Sequence, residues 1–381
     1  MNIGINLLPI RRELTGVGVY AYNIVEQLLQ IDKFNRYFIF NNKESDDVFQ
    51  FNTDNTQVIT FPIRAQNVFK RIFWEQFIFP LYLKKYKIDV LFSPSTILPV
   101  FSGCYNIICI HDLTPYHVEK KFTKLRSFYV KKMIALSARL ADKVLTVSQN
   151  TKRELHDLIG ISEQKIAITY NGINKLILDS DRSGWIKYKK EKHIPNNYLL
   201  YVGTLEPGKN IDALISAFEI LKDTYKLPHK LVIAGGKGWM FDSIFQKINN
   251  KNLNDQIILT GYVPNEYLRL LYQDSDLFIF PSLYEGFGIP VLEAMYFGVP
   301  VIASNTSSLP EVVDNAAKLV DPLDAKMIAD TVNQVLLDSK LKSTMQERGF
   351  KQAAKFSWKN AAEVTYKELL KFEKNEKANS L

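Results

Sequence analysis

The chain has 381 residues, 46% hydrophobic and 23% charged, and carries a net charge of +8. This is more than one core commonly serves, so two domains are expected in a protein of ordinary soluble, globular composition. The two cysteines, Cys104 and Cys109, are too few and too far apart for a CxxC motif or a zinc cluster, which points to a reducing cytosol.

In chain order, the N-terminus lacks a basic lead followed by a long apolar run. It reads as a first strand, Asn2–Leu8, rather than as a signal peptide. A helix is expected over Val19–Gln30, then strands over Tyr37–Phe40 and Gln57–Phe61. Phe69–Lys85 is aromatic, basic and helical in pattern up to Pro80. It suits either a membrane interface, with rings in the headgroup layer, or a core helix with basic ends. Val90–Ile110 carries no charge but contains Pro94, Pro99 and Gly103. Two buried strands, Val90–Ser93 and Ile107–Ile110, fit it better than a membrane span. Asp112–Pro115 reads as a loop, Leu125–Ala141 as a helix and Lys143–Val147 as a strand. The polar stretch Asn174–Asn197 reads as an interdomain connection, after which the alternation restarts. Tyr198–Gly203, Lys230–Ala234, Ile257–Thr260, Leu277–Phe280, Val299–Ala303 and Ala317–Val320 are expected strands. Ile211–Tyr225 is a helix, and Ser357 caps a final amphipathic helix to Lys374. This alternation predicts an α/β fold with parallel, doubly wound sheets.

The charge is uneven. Residues 1–176 hold 23 Lys/Arg against 15 Asp/Glu, and the remainder holds 25 against 25. An anionic membrane surface or a phosphorylated acceptor would account for a basic first half; so would a solvated basic face. No nucleic-acid motif accompanies the charge, so no nucleic-acid partner is expected.

Several segments suit ligand chemistry. Glu285 and Glu293 lie eight positions apart, separated by a Gly-Phe-Gly turn, a proline and the start of an apolar helix. Such a turn aims backbone N–H groups at an anion above the helix N-terminus, and the carboxylates can accept from ligand hydroxyls. That combination fits a nucleotide sugar, which is phosphate in the middle and polyol on either side. Gly16-Val17-Gly18 follows the first strand and lets a ligand approach the backbone. A dinucleotide site would want a third glycine and an acidic residue about 20 positions on, and both are missing. His111-Asp112 closes a strand, where a histidine can bond a sugar hydroxyl or sit satisfied in its loop. Gly203-Thr204 opens the loop that carries Lys209, which is either a phosphate-binding charge at a helix start or an exposed lysine in an ordinary turn. Gly235–Trp239 and Gly261-Tyr262-Val263 end further strands, the latter a place for a nucleobase to rest.

The ensemble resembles the family 4 glycosyltransferases of GT-B fold over nearly the whole chain. Its most specific part is Glu285-Gly286-Phe287-Gly288-Ile289-Pro290 leading to Glu293, which is similar to that family's E-x7-E motif. Gly16-Val17-Gly18, His111-Asp112, Glu206-Pro207 with Lys209-Asn210, Tyr170-Asn171-Gly172-Ile173 and Leu309-Pro310-Glu311-Val312 follow in matching order. Within the family the chain is most similar to bacterial mannosyl- and rhamnosyltransferases of surface polysaccharide assembly.

The resemblance implies two Rossmann-like, doubly wound domains facing a cleft. These are an acceptor domain over 1–175, a nucleotide-sugar domain over 176–356, and a helix over 357–381 that returns to the first. It implies that Glu285 contacts the transferred sugar and Glu293 the ribose, that amides near Phe287, Gly288 and Ile289 touch sugar and diphosphate, and that Lys209 neutralises the diphosphate. Gly16, Val17 and Gly18 would approach the phosphates, and His111 would face the reacting sugar. Asp112, Gly203, Thr204, Tyr262 and Val263 complete the expected substrate contacts. The implied reaction is retaining hexosyl transfer to a saccharide or lipid-linked acceptor, without metal or other cofactor, in the cytoplasm or at the inner face of the plasma membrane. One departure stands out: Gly208 occupies a position where most relatives carry arginine. The rival readings are a nucleotide-sugar 2-epimerase of similar fold and an inactive binding subunit of a polysaccharide assembly complex.

Overall fold

The structure is a computed structural model that describes residues 1–118, 124–174, 177–178, 181–236, 238 and 242–379. Two compact units divide the chain. The first comprises Met1–Leu113, Lys124–Gly172 and Ser357–Leu381, and the second Thr114–Thr123 and Ile173–Phe356.

The first unit is built on β1 (Asn2–Asn6), β2 (Arg36–Asn42), β3 (Thr56–Phe61), β4 (Val90–Ser93), β5 (Tyr105–Ile110), β6 (Lys143–Thr146) and β7 (Ile166–Ile168). Among the described residues they form one sheet in the order β3-β2-β1-β4-β5-β6-β7, and every pairing is parallel. Parallel strands are covered on both faces, so they read as unbroken apolar runs. Val90–Ser93 obeys this and is buried throughout. The strand order reverses between β1 and β4, which makes the ends of those strands the switch point.

The second unit holds β8 (Tyr198–Val202), β9 (Lys230–Ala234), β10 (Ile257–Gly261), β11 (Leu277–Phe280), β12 (Val301–Ser304) and β13 (Lys318–Val320). Their order is β10-β9-β8-β11-β12-β13, again wholly parallel. Here the switch point lies between β8 and β11.

The closing helix, Trp358–Asn379, belongs to the first unit and packs on helix Gly16–Ile31. Ser357 Oγ caps it by accepting from the Asn360 amide at 3.1 Å. Tyr20 and Trp358 meet edge to face at 5.9 Å, and Lys143 pairs with Glu368 at 3.2 Å. A Cβ on Gly172 would lie 2.5 Å from the Trp358 amide nitrogen. Gly172 in the Tyr170–Ile173 motif thus serves the chain's return, because only glycine leaves room for that crossing.

The structure departs from the sequence reading in four places. The stretch read as a connection contains a helix, Arg182–Glu191. Asp181 caps it through the amides of Ser183 and Gly184, and buried Trp185 anchors it with an indole N–H on Asp274 at 2.8 Å. Its exposed face is lysine-rich, which masks the single anchor. A four-residue helix, Thr114–His117, occupies the expected loop at Asp112–Pro115. Strand β7 is too short to show a pattern. Pro80 does not end the helical segment. It sits in the first turn of helix Phe79–Lys85, where a missing N–H is tolerated.

Candidate active site

The second unit's switch point joins two loops. The one after β8 carries Glu206–Asn210, and the one after β11 carries Pro281–Gly288. Leu283 N–H donates to the Gly208 carbonyl at 2.9 Å, and Asn210 Nδ2 donates to the carbonyls of Pro281 (3.1 Å) and Pro322 (2.6 Å). Asn210 itself sits at φ 57°, a left-handed turn that asparagine tolerates before helix Ile211–Asp223. These ties hold Lys209 against Glu285. Lys209 Nζ donates to both carboxylate oxygens, at 2.6 and 2.8 Å. It also lies 5.8 Å from the Phe280 ring centroid. Glu285 is buried and Lys209 half-buried, and breaking such a pair commonly costs about 3–5 kcal/mol.

The backbone at Glu285 is fixed from a third loop. Its N–H donates to Ser307 Oγ at 2.9 Å, and Ser308 Oγ donates to its carbonyl at 3.0 Å. Ser307 holds φ 54°, uncommon for a residue with a Cβ, and such backbone strain clusters at functional sites. The sequence reading did not include these serines; small polar residues just beyond β12 are the signal that marks them.

Beyond Glu285 the chain turns into helix Ile289–Tyr296 through Gly288, at φ 98°. A Cβ there would lie 2.5 Å from Leu309 Cδ2, so both backbone and space require glycine. Pro290 needs no N–H acceptor in the first turn. Among the described residues, no hydrogen bond is donated by the amides of Gly288 and Ile289. Amides left unbonded at the positive end of a helix favour an anion there. Glu293 lies within this helix, buried, and accepts from the Tyr272 hydroxyl at 2.9 Å. Burial pushes its carboxyl up to about 7, against a smaller opposing effect of the Tyr272 hydrogen bond. Nothing in the apolar pattern of helix Asn265–Gln273 distinguishes Tyr272 from a core residue.

Glycines draw the strand ends together. Gly203 N–H donates to the Ala234 carbonyl and Gly235 N–H to the Gly261 carbonyl, both at 2.9 Å. A Cβ on Gly235 would fall 1.9 Å from the Gly203 oxygen. Thr204 and Tyr262 are exposed beside this rim, and Val263 is buried. Of the Gly235–Trp239 segment, Lys237 and Trp239 lie outside the described residues. Tyr201, at the end of β8, is fully buried, and its hydroxyl has no partner among the described residues. Burial drives its phenol far above the ordinary range, and the charges of Glu285 and Glu206 add to this.

In the first unit, Gly16, Val17 and Gly18 form the first turn of helix Gly16–Ile31. Gly16 has open space around a Cβ, whereas one on Gly18 would press Leu14 at 3.0 Å. His111, just past β5, is buried. Its Nε2–H donates to the Pro94 carbonyl at 2.9 Å, and the Tyr20 ring meets it edge-on at 4.8 Å. Burial pulls its imidazole below the usual range, which favours the neutral ring with Nδ1 as an acceptor. Asp112 is half-buried. The structure therefore brings Lys209, Glu285, Gly288 and Ile289 together at one switch point and places Gly16–Gly18 and His111 in the other unit.

Two family models match the chain: Glycosyl transferases group 1 over residues 186–352, and Glycosyltransferase Family 4 over residues 14–175. O-antigen chain mannosyltransferase B of Escherichia coli is 30% identical over 383 residues, covering 94% of this chain and 96% of that protein. Among solved structures, sucrose-phosphate synthase from Thermosynechococcus elongatus matches with a TM-score of 0.77 at 21% identity, over 97% of this chain and 98% of that one. Anabaena HepE, in complex with UDP-glucose, matches with a TM-score of 0.74 at 16% identity, over 97% and 99%. The models and the relative describe transferases, so the epimerase reading gains nothing from them. The chain belongs to glycosyltransferase family 4 and is a hexosyltransferase of GT-B fold, with O-antigen mannosyltransferases among its relatives.

Proposed function

We propose that the chain is a retaining transferase that moves a hexose, mannose or rhamnose, from a nucleotide sugar to a saccharide or lipid-linked acceptor during surface polysaccharide synthesis. The observation that carries this reading is the grouping of Glu285, Lys209 and the unbonded amides of Gly288 and Ile289 at one switch point. The amides and Lys209 bind the diphosphate, Glu285 accepts from a sugar hydroxyl, and Glu293 accepts from the ribose. The UDP-glucose bound by HepE, and the mannosyl transfer in the relative's name, support the donor class.

In the reaction, the bond from the anomeric carbon to the phosphate oxygen breaks. The acceptor oxygen bonds that carbon on the same face, and its proton passes to the departing phosphate. Lys209 and the helix dipole stabilise charge as it builds on the leaving diphosphate. No metal or further cofactor enters this scheme. The enzyme works as a cytoplasmic protein, peripheral to the inner face of the plasma membrane.

The test supplies GDP-, UDP-, dTDP- and ADP-sugars with lipid-linked acceptors and reads the anomeric configuration of the product by NMR. Retained configuration is expected, and Glu285→Gln should lower turnover at least ~10²-fold, the scale of one lost transition-state contact. Inverted product, or near-normal turnover in the variant, would refute the scheme.

A further inference from the structure

The segment Val68–Lys85 is apolar on two sides. One side faces the core: Phe79 and Leu83 are buried, and Trp74, Tyr82 and Tyr86 pack on the same cluster as Phe40 and Phe61. The other side carries Phe69, Phe73, Phe77 and Leu81, which are 89%, 58%, 62% and 64% exposed. A surface helix ordinarily turns polar residues outward. A contiguous exposed apolar strip on such a helix marks an interaction site.

The backbone aligns this strip. In an α-helix four residues overshoot a turn by about 40°, so residues spaced by four drift around the axis. Here the middle of the segment, Trp74–Ile78, is a π-helix between helices Val68–Phe73 and Phe79–Lys85. Its wider turn winds back part of that drift. The rings of Phe73 and Phe77 sit 5.2 Å apart. Gln76 ties this segment to the loop before Phe101, accepting from Val100 N–H at 2.9 Å, and Phe101 is also exposed.

Charge identifies the partner. Between residues 62 and 88 there are six basic residues, Arg64, Lys70, Arg71, Lys84, Lys85 and Lys87, and a single acidic one, Glu75. Glu75 is 2% exposed and is held by Asn6 Nδ2 at 2.7 Å, so it faces away from solvent. Aromatic rings flanked by lysines on an interfacial helix match an anionic bilayer: rings enter the headgroup boundary and lysines meet the phosphates. No helix among the described residues is long and apolar enough to cross a membrane, so the strip would lie on the surface.

We infer that Phe69, Phe73, Phe77 and Leu81, with Lys70, Lys84 and Lys85, form the surface by which this enzyme docks on anionic phospholipid bilayers. This deepens the membrane part of the proposed function and is independent of the transfer chemistry.

The test is co-sedimentation of the full chain with vesicles of phosphatidylcholine alone or with 30% phosphatidylglycerol, at low and high salt. Wild type should bind the anionic vesicles and release at high salt. Lys84→Gln/Lys85→Gln should weaken binding roughly 30-fold and Phe73→Ser/Phe77→Ser at least ~10-fold. Both variants should keep wild-type melting temperatures and wild-type transfer to a water-soluble acceptor, which separates this inference from the donor reading. Failure of wild type to bind anionic vesicles, equal binding by the variants, or a wild-type dimer in sedimentation velocity that Phe73→Ser/Phe77→Ser dissolves would overturn it.

Discussion

Under the proposed function, Glu293 should couple donor binding to pH. Burial raises its carboxyl from the ordinary 4.5 to about 7. About a tenth of the folded protein then carries the ionised form at pH 6, and about nine-tenths at pH 8. Ribose hydroxyls donate to a carboxylate better than to a carboxylic acid, so the proposed donor selects the ionised form. Its affinity should therefore be about tenfold weaker at pH 6 than at pH 8. Glu293→Gln should abolish that slope and weaken binding at pH 8 by about 1.5–3 kcal/mol, the worth of hydrogen bonds to a charged group. Stability moves the other way. The folded value lies above the unfolded one, so the carboxyl costs nothing below pH 4.5. The cost grows as pH rises towards 7 and levels off at about 3 kcal/mol. The melting temperature of Glu293→Gln, relative to wild type, should accordingly rise from pH 5 to pH 8. Calorimetric titration with GDP-mannose and UDP-glucose, neither of which titrates over this range, supplies the affinities. A pH-independent wild-type affinity, or a slope that survives in the variant, would refute the role given to Glu293.

Two further substitutions probe the same site. At Gly208 a Cβ would meet only Val118, at 3.7 Å, so Gly208→Arg should fold normally. Its guanidinium should tighten donor binding about tenfold or more by titration; unchanged affinity would place the diphosphate elsewhere. Gly288→Ala adds a Cβ at φ 98° and 2.5 Å from Leu309. A melting temperature lower by roughly 4–10 °C is expected by scanning calorimetry, and a wild-type value would mean that the turn is not held as described.

Much of this was legible in the residues. Strands such as Val90–Ser93, Lys230–Ala234 and Leu277–Phe280 coincide with the predicted spans, because buried parallel strands leave unbroken apolar runs. The Glu285–Glu293 segment was readable because Gly288 and Pro290 are demanded locally, by a left-handed turn and a first helical turn. Partners supplied from distant segments left no such trace. Tyr272 beneath Glu293, Ser307 and Ser308 around Glu285, and Asn210 bridging Pro281 and Pro322 become functional only once the sheet brings its strand ends together. Helix Arg182–Glu191 was hidden because a single buried tryptophan anchors a lysine-rich face. The Phe69–Lys85 segment was open to two readings: one of its sides is core, and the other faces solvent.

The most direct measurement is a crystal structure of the protein with a non-transferable 2-fluoro nucleotide sugar. The account predicts diphosphate oxygens within hydrogen-bonding distance of Lys209 Nζ and the amides of Gly288 and Ile289, with hexose hydroxyls on Glu285 and ribose hydroxyls on Glu293. A nucleotide sugar bound away from the ends of β8 and β11, with Lys209 still closed on Glu285, would contradict it.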